Sequence, residues 1–332
     1  MVGVGRVKAM VCPRPGRPDV LRLEEIDRPT IDADGVLVRV HATSINPVDF
    51  FTLSRVGFTA RRLSGGFKPR SVGLGTDFAG TVESVGMNVS QFKPGDEVFG
   101  GRTGGAFAEY LSMPANGAVV KKSASLPFDQ AGGMPVAAVT ALQAVRDHGK
   151  VAEGQRVVIN GASGGVGSFA LQIAKSYGAT VTAVCSPANV ETARRLGADR
   201  VIDYTQEDFT QSSTTYDVLI DVAGNHSWSA CTRVLTPAGI MVAAGASSHT
   251  VWGANRTLGH LLGVRLASIR GPQKAALFIA KLTKADLLLL QQLFEDGKVT
   301  TVIDRCYGLD RVSDAMTYMG EGHARGKLVV TV

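Results

Sequence analysis

The sequence predicts an α/β protein in which a six-stranded parallel sheet, covered by helices, is joined to a second, β-rich domain. Three observations predict it. Residues 156–197 alternate short apolar runs with helical periodicity around a glycine-rich turn. Residues 7–125 instead carry short alternating runs closed by turn residues. Beyond residue 200, four further apolar runs follow with helices between them, the texture of a parallel sheet.

In chain order, residues 36–40 and 81–85 read as strands, punctuated by Asp34-Gly35, Gly86 and Pro94-Gly95-Asp96. Their spacing predicts a compact barrel-like domain over residues 1–127. Residues 131–145, rich in small side chains, read as one helix. Residues 157–160 open the parallel sheet, and Ala162-Ser163-Gly164-Gly165-Val166-Gly167 follows at once. Val166, Ala170, Ile173, Ala174 and Tyr177 then repeat at helical spacing, with Gly178 at the C-cap position. Residues 181–185, 201–203, 217–222, 240–244 and 264–269 supply the other five strands, within a domain of residues 128–272. The tail, 273–332, reads as helix 284–296, strand 302–307, helix 309–319 and a last strand 327–332. Strands beyond the sixth predict a return of the tail to the first domain.

Composition narrows the function classes. The 39 glycines among 332 residues fall at turns, which marks a loop-rich α/β enzyme rather than low complexity. The net charge of +6 is mildly basic. Its densest cluster, Arg61, Arg62, Lys68 and Arg70, lacks interleaved aromatics, so a solvated loop is expected and nucleic acid is not. Cys12, Cys185, Cys231 and Cys306 are scattered, with no CxxC pair or Cys/His cluster, which excludes a zinc ribbon or disulfide framework and fits the reducing cytoplasm. The opening MVGVGRVKAMVCPRPG has no apolar run of secretory-signal length. No uncharged apolar run approaches the roughly 18 residues of a membrane span. The apolar 287–290 stretch is flanked by Lys284, Asp286 and Gln291 and belongs to an amphipathic helix.

The glycine turn sits between a strand and a helix, the context in which backbone N–H groups approach a pyrophosphate at a helix N-terminus. It implies a dinucleotide. A site for NAD has an acid about 20 residues after the glycines, bonded to the ribose 2′-OH. Here the second strand ends Val184-Cys185-Ser186-Pro187, with no acid before Glu191. Ser186 removes a repulsion of roughly 4 kcal/mol against a 2′-phosphate about 4 Å away and offers it a hydroxyl, so NADPH is expected over NADH. Ser186 before Pro187 is also a standard helix start, and both readings hold together.

Further blocks then join the turn: HATSINPVDFF (41–51), GTDFAGTVESVG (75–86), FKPGDEVFG (92–100), GAFAEYLSMP (105–114), MPVAAVTALQAV (134–145), INGASGGVG (159–167), LGADRVIDY (196–204), YDVLIDVAG (216–224) and GHARGKLVVTV (322–332). In this order the chain resembles the medium-chain dehydrogenase/reductase superfamily, in its zinc-independent quinone oxidoreductase branch, over essentially its whole length. The resemblance implies a GroES-like catalytic domain, a Rossmann domain, a cleft between them and a homodimer. Where the zinc-dependent pattern has Cys, this chain has Asn46; where that pattern has His-Glu, it has Thr76-Asp77; Met134–Val136 offers no third ligand.

By resemblance, Ser163, Gly164, Gly165, Val166 and Gly167 form the pyrophosphate turn, and Ser186, Asn189 and Tyr204 surround the 2′-phosphate and adenine ribose. Ala223, Gly224 and Gly245 line the cofactor at strand ends, Thr140 meets the nicotinamide, and Gly326 and Lys327 make a C-terminal cofactor contact. Lys327 reads equally as an exposed strand charge, Thr140 as packing, Asn189 as a polar residue in a first helical turn and Tyr204 as a strand end. Arg194 and Arg195 read as solvated. Asn46 and Asp49 are the substrate-side candidates for catalysis, although Asn46-Pro47-Val48-Asp49 is by itself a helix start. Phe50 and Phe51 read as core packing, with stacking on a flat substrate as the other option.

The expected reaction is zinc-independent hydride transfer from NADPH to a quinone or an α,β-unsaturated carbonyl. The alternatives are an enoyl-thioester reductase and an NADPH-binding protein with a regulatory role.

Overall fold

A computed structural model describes residues 5–54, 74–244, 272–322 and 324–332. The chain forms two compact units. One comprises Met1–Val136, Leu282–Glu295 and Ile303–Val332; the other comprises Ala137–Lys281 and Asp296–Val302.

The first unit opens with β1 (Arg6–Val11) and β2 (Arg22–Asp27), an antiparallel pair. Next come β3 (Gly35–Ser44), helix α1 (Pro47–Leu53), β4 (Asp77–Val85), β5 (Glu97–Gly101), β6 (Tyr110–Pro114) and β7 (Val119–Lys121). Val36, Val38 and Val40 alternate along β3 and pack with Phe78, Val98 and Leu111 in the core of this unit. The expected 131–145 helix is divided in three: α2 (Phe128–Gly133), α3 (Pro135–Gln143) and a π turn (Ala144–His148), whose Gly149 N–H reaches back five residues to the Ala144 carbonyl. Pro135 has no N–H to continue the ladder of α2, so the helix stops and restarts there. A Cβ on Gly132 would lie 2.9 Å from Ala42 of β3. This close approach is why residues 128–136 group with the β-rich unit rather than with the sheet that follows.

The second unit carries β8 (Arg156–Asn160), α4 (Gly165–Ser176), β9 (Thr180–Cys185), α5 (Val190–Arg195), β10 (Arg200–Asp203), β11 (Tyr216–Asp221), α6 (Trp228–Arg233), β12 (Leu235–Ala243) and β13 (Lys274–Leu277). All six strands are parallel, in the order β10-β9-β8-β11-β12-β13. Helices on both faces explain the unbroken apolar runs, such as Val157, Val158 and Ile159, all fully buried. The sixth strand is Lys274–Leu277; the run expected at 264–269 lies outside the described residues. Strand order reverses between β8 and β11, the switch point at which such sheets open a crevice at their carboxyl ends.

The chain then returns through α7 (Lys284–Glu295), β14 (Ile303–Gly308), α8 (Val312–Gly320) and β15 (Lys327–Thr331). β15 pairs antiparallel with β3, Val329 opposite Ser44, and completes a seven-stranded sheet. The Ile45 N–H donates to the Leu328 carbonyl just past that ladder, so Lys327 arrives beside residues 44–46.

Two glycines of the 161–167 turn do different work. A Cβ on Gly167 would stand 2.1 Å from the Gly161 carbonyl oxygen, whereas one on Gly164 would meet only that oxygen, at 3.7 Å. Gly164 is extended, at φ −76° and ψ 174°. Gly167→Ala is therefore expected to cost about 2–3 kcal/mol, and Gly164→Ala to leave stability within about 0.5 kcal/mol, both read from urea unfolding.

Candidate functional site

The carboxyl edge of the parallel sheet gathers most of the expected cofactor residues. After β8 the chain turns at Gly161 (φ +89°), a conformation open to glycine. Gly161 and Ala162 both donate their N–H to the Val184 carbonyl, and Gly164 donates to Gly161. Ser163, Gly164, Gly165 and Val166 are half-buried, and Gly164 is the N-cap of α4. The N–H groups of Gly165, Val166 and Gly167 open the helix and have no intrahelical acceptor. Together with the open ground before Gly164, they suit a pyrophosphate. Gly161 was missed by the sequence reading, although its place at the end of an apolar strand was a signal.

Ser186 directly follows β9 and is the N-cap of a turn over Pro187–Asn189. The buried Asn189 donates its amide to Ser186 Oγ at 2.8 Å, which leaves the serine O–H as a donor for another group. Tyr204 follows β10, largely exposed, with its N–H on the Cys185 carbonyl. Asp203, at the end of β10 and opposite Cys185 in register, accepts on its carboxylate from the N–H and hydroxyl of Thr205. Arg194 pairs with Glu191 and Arg195 bonds Thr192, both arginines exposed, as their helical setting implied.

On the other side of the switch point, Ala223 and Gly224 (φ +62°) follow β11. The Asn160 carbonyl accepts the N–H groups of Val222 and Ala223, while the Asp221 carboxylate accepts the Gly224 N–H at 2.9 Å and the Asn160 amide at 2.9 Å. Asn160 and Asp221 were also missed, although each is a polar residue closing an apolar strand. Thr140 lies half-buried on α3. Gly245 lies outside the described residues, as does the 61–70 basic cluster.

The β-rich unit holds a second assembly, fully buried. Asp77, at the start of β4, accepts on Oδ2 from the Ser44 hydroxyl at 2.7 Å and from Asn46 Nδ2 at 2.8 Å, and on Oδ1 from the Val136 N–H at 2.8 Å. The Lys327 ammonium lies 2.6 Å from Asn46 Oδ1, 3.3 Å from the Ile45 carbonyl and 3.5 Å from Asp77 Oδ2. The structure corrects the exposed-charge reading of Lys327: the residue is 2% exposed, because β15 is interior to the sheet and Asp77, Asn46 and Ile45 take up its three protons. The neighbouring Gly326 is buried at φ +131°. Asn46 is likewise buried, with oxygen and amide both bound inward, so it orients its neighbours rather than offering a donor outward.

Asp49 forms the backward half of a capping box, accepting the Asn46 N–H at 2.8 Å, and also accepts from the Gly75 N–H. Burial pushes its carboxyl up to about 7; the Asn46 N–H opposes this, Asp77 adds to it and Lys327 opposes it. Burial pulls the Lys327 ammonium down, against the raising influence of Asp77 and Asp49. On α1 the two phenylalanines divide. Phe50 is core, as expected, whereas Phe51 is half-exposed on one face with Val48.

These donors do not fit zinc. An amide (Asn46) stands in place of the thiolate and a hydroxyl (Thr76) in place of the imidazole, and an ammonium already sits against Asn46 and Asp77. Among the described residues no group of three His, Cys, Asp or Glu side chains is placed to hold a metal ion.

Comparison with known proteins agrees with both halves of this picture. Residues 32–128 match the family model of the alcohol dehydrogenase GroES-like domain, and residues 196–330 that of the zinc-binding dehydrogenases. The chain is 34% identical to the mouse (Mus musculus) mitochondrial NAD(P)H oxidoreductase RTN4IP1, over 98% of this chain and 89% of that protein. It is 33% identical to the chloroplastic NADPH-dependent alkenal/one oxidoreductase of Arabidopsis thaliana, over 98% and 79%. Among solved structures, the quinone oxidoreductase of Coxiella burnetii superposes with a TM-score of 0.85 at 30% identity, covering 99% of this chain and all of that one.

The Asp49 environment carries a pH signature. A carboxyl that titrates at about 7 in the folded protein and at its ordinary 3.8 when unfolded binds more protons folded than unfolded between those limits. Its contribution is fully present below about pH 4 and is lost as pH rises through 7, a swing on the order of 4 kcal/mol. Denaturant unfolding from pH 4 to 8 should show the native protein losing stability relative to Asp49→Asn, which keeps an acceptor for the Asn46 N–H. A pH-independent difference would count against a proton held at Asp49.

Proposed function

This chain belongs to the medium-chain dehydrogenase/reductase superfamily, in its quinone oxidoreductase branch, and on that premise we propose a zinc-independent, NADPH-dependent reductase of quinones or α,β-unsaturated carbonyls. A nicotinamide-dependent oxidoreductase is what family membership establishes; the acceptor, the choice of NADPH and the absence of zinc are our reading. The observation that carries it is the Lys327 ammonium seated against Asn46 and Asp77, where the zinc-dependent pattern has metal ligands. A metal acting as a Lewis acid supplies several kcal/mol of charge stabilisation at a carbonyl. Without one, acceptors that spread the incoming charge over a conjugated system are favoured.

Bound NADPH supplies the hydride, and the protein supplies placement. The first turn of α4 and the turn from Ser163 to Gly167 hold the pyrophosphate. The Ser186 hydroxyl, oriented by Asn189, donates to the 2′-phosphate, and Tyr204 covers the adenosine end. Ala223 and Gly224 border the other half, with Thr140 and Gly245 assigned to it by family resemblance. Asn46 and Asp49 act through the buried assembly, which fixes the start of α1. Val48 and Phe51 on α1 offer an apolar face to a flat acceptor. The enolate or hydroquinone anion takes its proton from water. The proposal includes a homodimer and a reducing setting such as the cytoplasm, in keeping with four free cysteines; the mouse and Arabidopsis relatives are named mitochondrial and chloroplastic. No helix among the described residues is long and apolar enough to cross a membrane.

Two measurements test the reading. NADPH oxidation should proceed with benzoquinones, naphthoquinones, enones or enals and be indifferent to chelators. Turnover confined to a crotonyl thioester would make the protein an enoyl-thioester reductase, and tight NADPH binding without turnover a regulatory binder. Separately, Ser186→Asp should weaken NADPH binding by roughly a hundredfold or more and leave NADH nearly unchanged. Equal loss for both cofactors would refute the 2′-phosphate assignment.

A further inference from the structure

The crevice at the switch point has two walls, the turn after β8 and the loop after β11, and a small buried network ties one to the other. Asn160 and Asp221 close these adjacent strands, opposite each other in register, at 3% and 2% exposure. The Asn160 amide donates to Asp221 at 2.9 Å and to Asn225 Oδ1 at 2.8 Å. Asp221 also accepts the Gly224 N–H, and its own carbonyl accepts the Ala244 N–H after β12. The Asn160 carbonyl holds Val222 and Ala223. The Asn160 carbonyl thus holds residues 222 and 223 beside the glycine turn, and the Asp221 and Asn160 side chains hold residues 224 and 225. Ser186 and Tyr204 follow β9 and β10, on the far side of β8 from this network.

We propose that Asn160 and Asp221 are positioning residues that set the spacing of the crevice under the nicotinamide half of the dinucleotide and leave its adenosine half untouched. The inference rests on the cofactor reading above, but only on the dinucleotide lying at this sheet edge. The geometry of these two side chains carries the inference. A loop held by a shared carboxylate, at a glycine with positive φ, has one setting. With the carboxylate or the amide removed, the loop is free to drift by the fraction of an ångström that degrades placement of a bound ring.

Equilibrium binding, with no turnover involved, tests this. Calorimetric titration of NADPH and of adenosine 2′,5′-bisphosphate is compared for the native protein, Asn160→Ala and Asp221→Asn; NADH and AMP form the parallel pair. The whole dinucleotide is expected to bind about tenfold more weakly to each variant, the half-molecule within about twofold of native. Asn225→Ala, at an exposed position, removes one bond of the network without touching the core. It should weaken dinucleotide binding alone, by a smaller factor, and it decides the matter should a core variant fail to fold. Equal weakening of whole and half ligands, or no change in either, overturns the inference. Failure of the native protein to bind adenosine 2′,5′-bisphosphate while it binds AMP would instead fault the NADPH assignment, and the NADH and AMP pair then decides the role of Asn160 and Asp221.

Discussion

The buried bond between Lys327 and the Asn46–Asp77 pair is the constraint on which the β-rich unit is arranged. Ser44 ends β3, Asn46 caps α1, Asp77 begins β4, Lys327 begins β15, Asp49 sits in the first turn of α1 and the Val136 N–H opens α3. Five elements therefore start or stop on one cluster of charges. A carboxylate and an ammonium at such depth are tolerable only with their remaining bonding capacity filled, and here it is: Asp77 accepts from Ser44, Asn46 and Val136, and Lys327 donates to Asn46 and Ile45. Loss of either ion alone would strand the other, a penalty of about 3–5 kcal/mol in comparable buried pairs.

The same cluster explains a division of labour. The β-rich unit keeps its cation internal and immovable, whereas the sheet of the second unit ends in backbone donors and small residues that face outward. Ser186 and Asn189 form a small polar corner on that edge, where one amide holds one hydroxyl.

Much of this was legible in the sequence because it is local. The βαβ unit from residue 156 announces itself through strand and helix periodicities and through glycines at a turn, and these elements formed where expected. What escaped was non-local or depended on a single bond. Lys327 reads as a surface charge because lysines on strands almost always are; the pairing of β15 with β3 and the bond to Asn46, 281 positions away, bury it. Pro135 divides a helix whose composition reads as continuous. Asn160 and Asp221 look like ordinary strand ends until β8 and β11 are placed side by side. Phe50 and Phe51 are indistinguishable in sequence; helix rotation alone sends one into the core and leaves the other in solvent.

The late arrival of β15 bears on how the molecule is made. As the chain leaves the ribosome, Ser44, Asn46 and Asp77 emerge early, but their cation follows only after the entire parallel-sheet unit has been synthesised. Until then β3 lacks its β15 neighbour and the carboxylate of Asp77 lacks its counter-ion, so the β-rich half waits as an open sheet while the other half, complete by Val302, has all of its sequence available earlier. The first domain can therefore be completed only after the second has been synthesised, when Lys327 reaches Asn46 and Asp77.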